Sequence, residues 1–384
     1  MSGHSWNSVR ALFPALRNWA HLNSAAFGPV PSTATRAMTD HFAAREVSAA
    51  LDFPRWFDRL DRVRGKIGRL IGADAEDIAF CPSAGAGLSW LLRGIDWREG
   101  DEVLALDHEF PNNQYAPQLL DAKGVRFRPL SAPSARFDPE LVLEAIGPRT
   151  RLVIVSAVNY SNGLRAPLEE LSAELPSMGV LLCVDATQSV GALVTDLRAV
   201  PVDYLVVHGY KWLMAPPGAG FAYIPAGTRA WLPPSIVSWR SHKTWRDYSS
   251  LHHGRPELPG EAARYEGGVQ PFALLFALEA SIDLILELGP EAIERRVLGL
   301  AGECRAILQA RGGVIAADPG KACDSQIVTA RFAGRDPARV KAKLEAGRVA
   351  VSVRKGSLRV SPHFFNDSDD LRRLAEALEA GFRS

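Results

Sequence analysis

Two polar residues at the ends of apolar runs carry the most chemistry in this chain. Asp185 closes the run VLLCVD, and Lys211 follows LVVHGY, 26 positions later (211 minus 185). A lone carboxylate at the end of a buried strand is costly to desolvate and calls for a cationic partner. An amine in the same kind of place gives up its proton more easily, which favours the neutral, nucleophilic form. Together they suit an aldehyde cofactor with a basic pyridine ring, the amine forming a Schiff base and the carboxylate keeping the ring nitrogen protonated. Gln188, one turn beyond Asp185, can donate to a phenolic oxygen on such a ring. The ordinary reading of a lysine after a buried strand is a side chain that snorkels to the surface.

Three other turns could join this pair. CPSAGAG is a Gly/Ala/Ser-rich turn between the strand-like IAF and an amphipathic segment, and the free amides of such a helix start bind phosphate. Gly85 and Gly87 mimic part of a dinucleotide fingerprint, but Trp90 stands where its third glycine belongs, so a nicotinamide-dependent oxidoreductase is disfavoured. A simple tight turn is the competing reading. In DHEFPNNQYAP, Phe110 and His108 compete to stack on a flat heteroaromatic ligand, against the ordinary roles of buried Phe and solvated His. In SAVNYSNG, Asn159 could hydrogen-bond a ring substituent or serve as a turn former close to Gly163.

The elements that must position these residues are legible as a rhythm. From about residue 55 to 225, helix-like segments alternate with the short runs DIAF, DEVLAL, VRFRPL, RLVIVSAV, VLLCVDA, VDYLVVH and GFAYI, the pattern of an α/β domain. RLVIVSAV and VLLCVDA are almost wholly apolar, as expected of parallel strands covered on both faces. Residues 225–268, rich in Pro, Gly, Trp and His, form a long irregular excursion, which is more often functional than idle. PFALLFALEASIDLILEL reads as helix, and SQIVTARF and GSLRVSPHF as strands flanking a helix through PARVKAKLEAG, a smaller C-terminal α+β domain.

Composition excludes several classes of function. With 384 residues, 47% apolar and 23% charged, the chain can bury a large core and suits two domains or one large α/β domain. A formal charge of +1 from 44 basic and 43 acidic residues offers no electrostatic argument for nucleic acid or an anionic membrane. The four cysteines are far apart and lack CxxC spacing, so neither a disulfide framework nor zinc is expected. No signal-peptide or membrane-spanning stretch is evident, and a soluble, cytoplasmic protein is expected.

Taken together, these segments resemble pyridoxal-phosphate enzymes of fold type I, specifically the class V aminotransferase superfamily. That group includes cysteine desulfurases, kynureninases and isopenicillin N epimerase-like proteins. The resemblance runs from LNSAAFGPVP to LRVSPHFFND and is most specific at VDATQSVG and HGYKW. It implies a large domain over residues 20–270 with a mainly parallel, seven-stranded-type sheet. Residues 1–19 and 271–384 would form the small α+β domain, and pyridoxal 5'-phosphate would be the cofactor. By resemblance Lys211 is the Schiff-base lysine, Asp185 the partner of the pyridinium and Gln188 the contact of the ring oxygen. Ala84 and Gly85 meet the phosphate through backbone amides. The family often has Thr at the position of Gly85, so one side-chain contact is missing here.

FPNN resembles the kynureninase version of the stacking motif, which favours Phe110, whereas the desulfurase version favours a histidine such as His108. His208 stands where a phosphate-binding Ser is common, and Tyr210 where His or Tyr precedes the lysine. Trp239 resembles a kynureninase-like Trp. Gly268 lies in a segment that usually reaches the neighbouring subunit's phosphate, which implies a homodimer with shared active sites. Arg359 would grip the substrate α-carboxylate, a planar anion that suits a bidentate guanidinium; its ordinary reading is a strand-edge charge.

One departure bears on the reaction. Cysteine desulfurases carry a persulfide-forming Cys on a loop before the C-terminal Arg, but GRVAVSVRKGSLR has none, and Cys323 lies much further upstream. A sulfur relay is therefore disfavoured. The resemblance implies an enzyme acting at the α-carbon of a small amino acid through an external aldimine, as an aminotransferase or lyase. An epimerase or racemase, or a C–S lyase without a persulfide cysteine, are the alternatives. From a different class comes a non-enzymatic regulatory protein that keeps the cofactor fold, against which the intact Lys211, Asp185 and Arg359 argue.

Overall fold

The computed structural model describes residues 5–132, 136–251, 254–317 and 324–382. A short strand, β1 (Ala20–His21), precedes the seven strands of the large sheet. These are β2 (Ile78–Cys81), β3 (Glu102–Leu106), β4 (Arg126–Leu130), β5 (Thr150–Ser156), β6 (Leu181–Asp185), β7 (Tyr204–His208) and β8 (Gly220–Tyr223). Each coincides with one of the seven apolar runs. Their order across the sheet is β2-β8-β7-β6-β5-β3-β4, and β8 alone runs against the rest, pairing antiparallel with both β2 and β7.

Alternate residues of the same strand feed different cores, as the two-residue period of a strand requires. Val153, Val155, Val184, Leu205 and Val207 join the apolar cluster on one face, while Ile154, Cys183, Tyr204 and Val206 join that on the other. With both faces covered, only the strand ends remain for polar chemistry. Because β3, β5, β6 and β7 are parallel, their carboxyl ends converge on one edge, where open α/β sheets place their ligands.

The remaining strands are β9 (Gly313–Ile315), β10 (Val328–Phe332), β11 (Val349–Ala350), β12 (Ser352–Arg354) and β13 (Ser357–Val360). Four of them form an antiparallel sheet in the order β12-β13-β10-β9, and β11 pairs in parallel with β1. The mainly parallel α/β sheet and the smaller α+β unit agree with the expected architecture. Leu22, Cys304, Leu308, Val328, Leu358 and Leu374 share the apolar cluster of that unit. The helix Phe272–Leu288 instead packs on helices Ser32–Ser48 and Phe53–Ile71 and shares the cluster of the large sheet. We therefore propose boundaries after Leu22 and within the helix Pro290–Gln309, in place of the expected 20 and 271.

The excursion after β8 is irregular apart from the short helix Ala226–Arg229 and a turn at Ala262–Tyr265 among its described residues. It is pinned by aromatic rings, with Trp245 edge-on to Phe57 at 4.8 Å and to Trp239 at 5.7 Å.

Candidate active site

Asp185 is the last residue of β6, and Lys211 sits in the turn that follows β7. Both are buried, at 6% and 5% exposure, and both line one cavity with Ala84, Phe110, Gln188, His208 and Tyr210. The Asp185 carboxylate accepts a bond from the Thr187 amide at 3.0 Å and has no ion-pair partner among the described residues. Lys211 Nζ lies 5.4 Å from the centre of the Phe110 ring and 5.5 Å from that of Tyr210. Burial, opposed by Asp185 and aided by Arg359 and Arg354, lowers the amine to about 8. It is therefore far closer to a neutral nucleophile at neutral pH than a surface lysine.

The turn that carries Lys211 is clamped from the amino-terminal side. The Gly28 amide donates to the Tyr210 carbonyl at 2.9 Å, and a Cβ on Gly28 would lie 2.0 Å from the Lys211 carbonyl oxygen. Only glycine permits that approach. Gln188 is fixed at both ends: its Nε2 donates to the Ala25 carbonyl at 3.1 Å, and Trp212 Nε1 donates to its Oε1 at 2.7 Å. An indole can only donate and a carbonyl can only accept, so the amide cannot be reversed, and its second Nε2 hydrogen remains for a ligand.

At the other end of the cavity stands the helix Ala84–Gly94, capped by Ser83, whose side chain accepts from the Ala86 amide. The amides of Ala84 and Gly85 belong to the first turn and have no intrahelical acceptor. A Cβ on Gly85 would touch the Asn112 side chain at 3.4 Å, so Asn112 closes over this helix start. His208 accepts from the Gly218 amide through Nε2 at 3.3 Å. Burial and the Lys211 charge push its pKa down to about 4, so the ring is neutral, with its proton on Nδ1.

Several other candidates fall outside the cavity lining. His108 is tied through Nδ1 to Asp107 at 2.9 Å, and its Nε2 is buried with no partner among the described residues. Asn159 spends its amide on the loop, donating to the His108 carbonyl at 3.0 Å and accepting from the Ser161 amide at 2.9 Å and hydroxyl at 2.7 Å. Trp239 packs beside Gly268, where a Cβ would meet its Nε1 at 3.5 Å; both belong to the excursion side of the fold. Arg359 is 1% exposed, donates from Nε to Ser352 Oγ at 3.0 Å and from Nη1 to the Tyr160 carbonyl. Tyr160 in turn lines the cavity and meets Phe110 edge-on at 5.2 Å.

Asn112, Ser156, Tyr160 and Thr187 also line the cavity and were not singled out from the sequence, although each adjoins a motif that was. Behind them, buried Glu109 accepts from the Ser156 amide at 2.8 Å, from the Ser156 hydroxyl, and from Asn113 Nδ2 at 3.1 Å. Burial pushes this carboxyl up. No sequence signal marks such a carboxylate, because its partner Ser156 lies at the end of another strand, 47 positions away.

A model of class-V aminotransferases matches residues 21–372. The chain is 28% identical to isopenicillin N epimerase of Streptomyces clavuligerus, over 99% of each chain. It is 26% identical to a probable cysteine desulfurase of Methanothermobacter thermautotrophicus, over 97% of this chain and 96% of that one. Among solved structures, the apo cysteine desulfurase of Thermococcus onnurineus NA1 superposes with a TM-score of 0.89 at 20% identity, covering 100% of both chains. The sheet order, the buried lysine and carboxylate at its carboxyl edge and a family match spanning both units lead to one conclusion: the chain belongs to the class-V aminotransferase family of pyridoxal-phosphate-dependent enzymes.

Proposed function

We propose that this enzyme uses Lys211 to carry out transamination or elimination at the α-carbon of a small amino acid. The observation that carries the reading is a buried amine lowered to about 8 sharing a cavity with a buried carboxylate that has no ion-pair partner among the described residues. These groups fit pyridoxal phosphate, which supplies an electron sink conjugated to the substrate α-carbon when bound. Asp185 would hold the proton of the ring nitrogen, and the remaining Nε2 hydrogen of Gln188 would be donated to the ring oxygen. Phe110 stacks on the ring in preference to His108, because Phe110 lines the cavity and His108 is tied to Asp107. The Ala84 and Gly85 amides and neutral His208 hold the phosphate, and Tyr210 flanks the lysine. Asn159 would act by fixing its own loop against the His108 carbonyl. Arg359 would receive the α-carboxylate, and the Lys211 amine would hold or move the proton at the α-carbon.

A thiol relay is not supported. The β12–β13 hairpin has no cysteine, and burial pushes the thiols of Cys81, Cys183 and Cys304 up; Cys323 lies outside the described residues. The proposal includes a cytoplasmic homodimer in which Trp239 and Gly268 face the partner's site, with no nucleic acid bound. Val269, 63% exposed beside Gly268, supports the interface. No described helix is long and apolar enough to cross a membrane.

The test is a panel of amino acids mixed with the purified yellow enzyme, following keto acid, ammonia, sulfide and α-hydrogen exchange. Keto acid from a second amino acid indicates transamination, ammonia or sulfide indicates elimination, and inversion at the α-carbon would select the epimerase reading, which the similarity to isopenicillin N epimerase favours as the second choice. Lys211→Ala should lose both turnover and the lysine-bound visible absorption. Retention of that absorption would remove Lys211 from its role.

A further inference from the structure

Arg359 and its neighbour Arg354 pose a charge problem that bears on the substrate. Nη2 of the Arg359 guanidinium is buried without a hydrogen-bond partner among the described residues. A guanidinium does not deprotonate in proteins, so a buried one without a carboxylate is costly until an anion reaches it. The α-carboxylate assigned to it above answers that need for one cation only.

Arg354 is the second. In the β12–β13 hairpin Ser352 pairs with Arg359, and Arg354 with Ser357. Residues two apart on a strand share a face, as do directly opposed residues, so Arg354 and Arg359 project from the same face of the hairpin. That face is turned to the cavity, since Arg359 donates to the carbonyl of Tyr160, which lines it with Lys211, and the charges of both guanidiniums bear on Lys211. Arg354 is partly buried, and the hydrogen bond described for it runs from Nη1 to the adjoining Val353 carbonyl at 2.8 Å. No carboxylate lies within ion-pair distance of it among the described residues. Lys355, the next residue, acts on Asp107 instead.

We propose that Arg354 binds a second anionic group, carried on the substrate's side chain, so that the preferred substrates are amino acids with an acidic side chain. This rests on the reading of the site as one that takes an amino acid. Two guanidiniums on one face then meet two carboxylates, and each desolvated cation has its counter-ion.

The experiment titrates the holoenzyme with L-aspartate, L-glutamate and L-2-aminoadipate, each against a neutral amino acid of similar size: L-asparagine, L-glutamine and L-methionine. Binding is read from the change in the visible spectrum. At least one acid should bind about tenfold more tightly than its neutral counterpart, the scale of one charge-assisted contact. Arg354→Gln should bring the two affinities together, Arg354→Lys should keep part of the difference, and Arg359→Gln should weaken acid and neutral alike. Equal affinities in all three pairs, no spectral response to any of the acids, or a preference that survives Arg354→Gln would each overturn the proposal. Failure of the underlying reading looks different: Lys211→Ala would keep the original visible absorption, whichever amino acids bind.

Discussion

Lys211 is held where its charge is unwelcome, and that has a measurable cost before any cofactor binds. Its folded pKa of about 8 lies below the unfolded value of 10.5, with burial as the main cause. Between these values the folded chain binds fewer protons than the unfolded one, so this group's contribution to stability rises with pH across the window and its penalty is complete below about 8. At about 1.4 kcal/mol per pKa unit the penalty is on the order of 3 kcal/mol. Cofactor-free Lys211→Met should therefore be more stable than the cofactor-free parent at pH 7 by about that amount, and the gap should close as pH rises toward 10.5. Urea unfolding at a series of pH values checks this; a less stable variant at pH 7 would mean that the amine is not desolvated as described.

The turn bearing Lys211 is locked to the smaller unit by a buried histidine. His363, just beyond β13, accepts from the Phe364 amide through Nδ1 at 2.9 Å, which places its proton on Nε2 for donation to the Trp212 carbonyl at 2.9 Å. Trp212 is the residue after the lysine and also orients Gln188, so one short segment sets both the amine and the ring contact. Burial pushes His363 down to about 3, from 6.5. A lowered histidine favours folding above 6.5, and that contribution is lost as pH falls toward about 3. The unfolding free energy of the parent should thus decline between pH 6 and 4 more steeply than that of His363→Gln, by up to about 1.4 kcal/mol per pH unit. Parallel pH profiles for the two proteins would contradict the neutral, buried assignment.

Across the whole molecule, the long excursion is fastened to the sheet edge by one carboxylate. The fully buried side chain of Glu266 accepts from Arg64 at 2.6 Å, Arg240 at 3.3 Å and the Phe80 amide of β2 at 2.8 Å. The guanidiniums also lie over Phe80 at 4.4 Å and over Phe57 and Trp245 at 4.6 Å. Removing the carboxylate leaves buried Arg240 with no ion-pair partner among the described residues and buried Arg64 with only Asp61 at 3.9 Å, so Glu266→Gln should cost about 3–5 kcal/mol in denaturant unfolding. Gly268 and Val269 follow within three positions, so the same variant should shift sedimentation from dimer toward monomer if this segment forms the subunit interface. Unchanged stability would show that Glu266 is not what holds the excursion.

The sequence by itself determined the parts of this protein that depend on local pattern. Apolar runs reported which segments become the strands of the large sheet, most plainly the inner ones, where burial on both faces leaves no alternation to obscure them. The types and places of Asp185 and Lys211 reported the cofactor chemistry, because a carboxylate and an amine at buried strand ends need partners wherever the chain puts them. What the tertiary structure decided is who meets whom. Phe110 rather than His108 lines the cavity, since Asp107 claims the imidazole. Asn159 serves its own loop, Gln188 is oriented by an alanine carbonyl 163 positions away, and β1 crosses to the C-terminal unit to pair with β11. Arg354 gains meaning only from the hairpin register that sets it beside Arg359. Periodicity records how deeply a residue lies, whereas such pairings depend on contacts between segments distant in the chain, and only the folded arrangement fixes those.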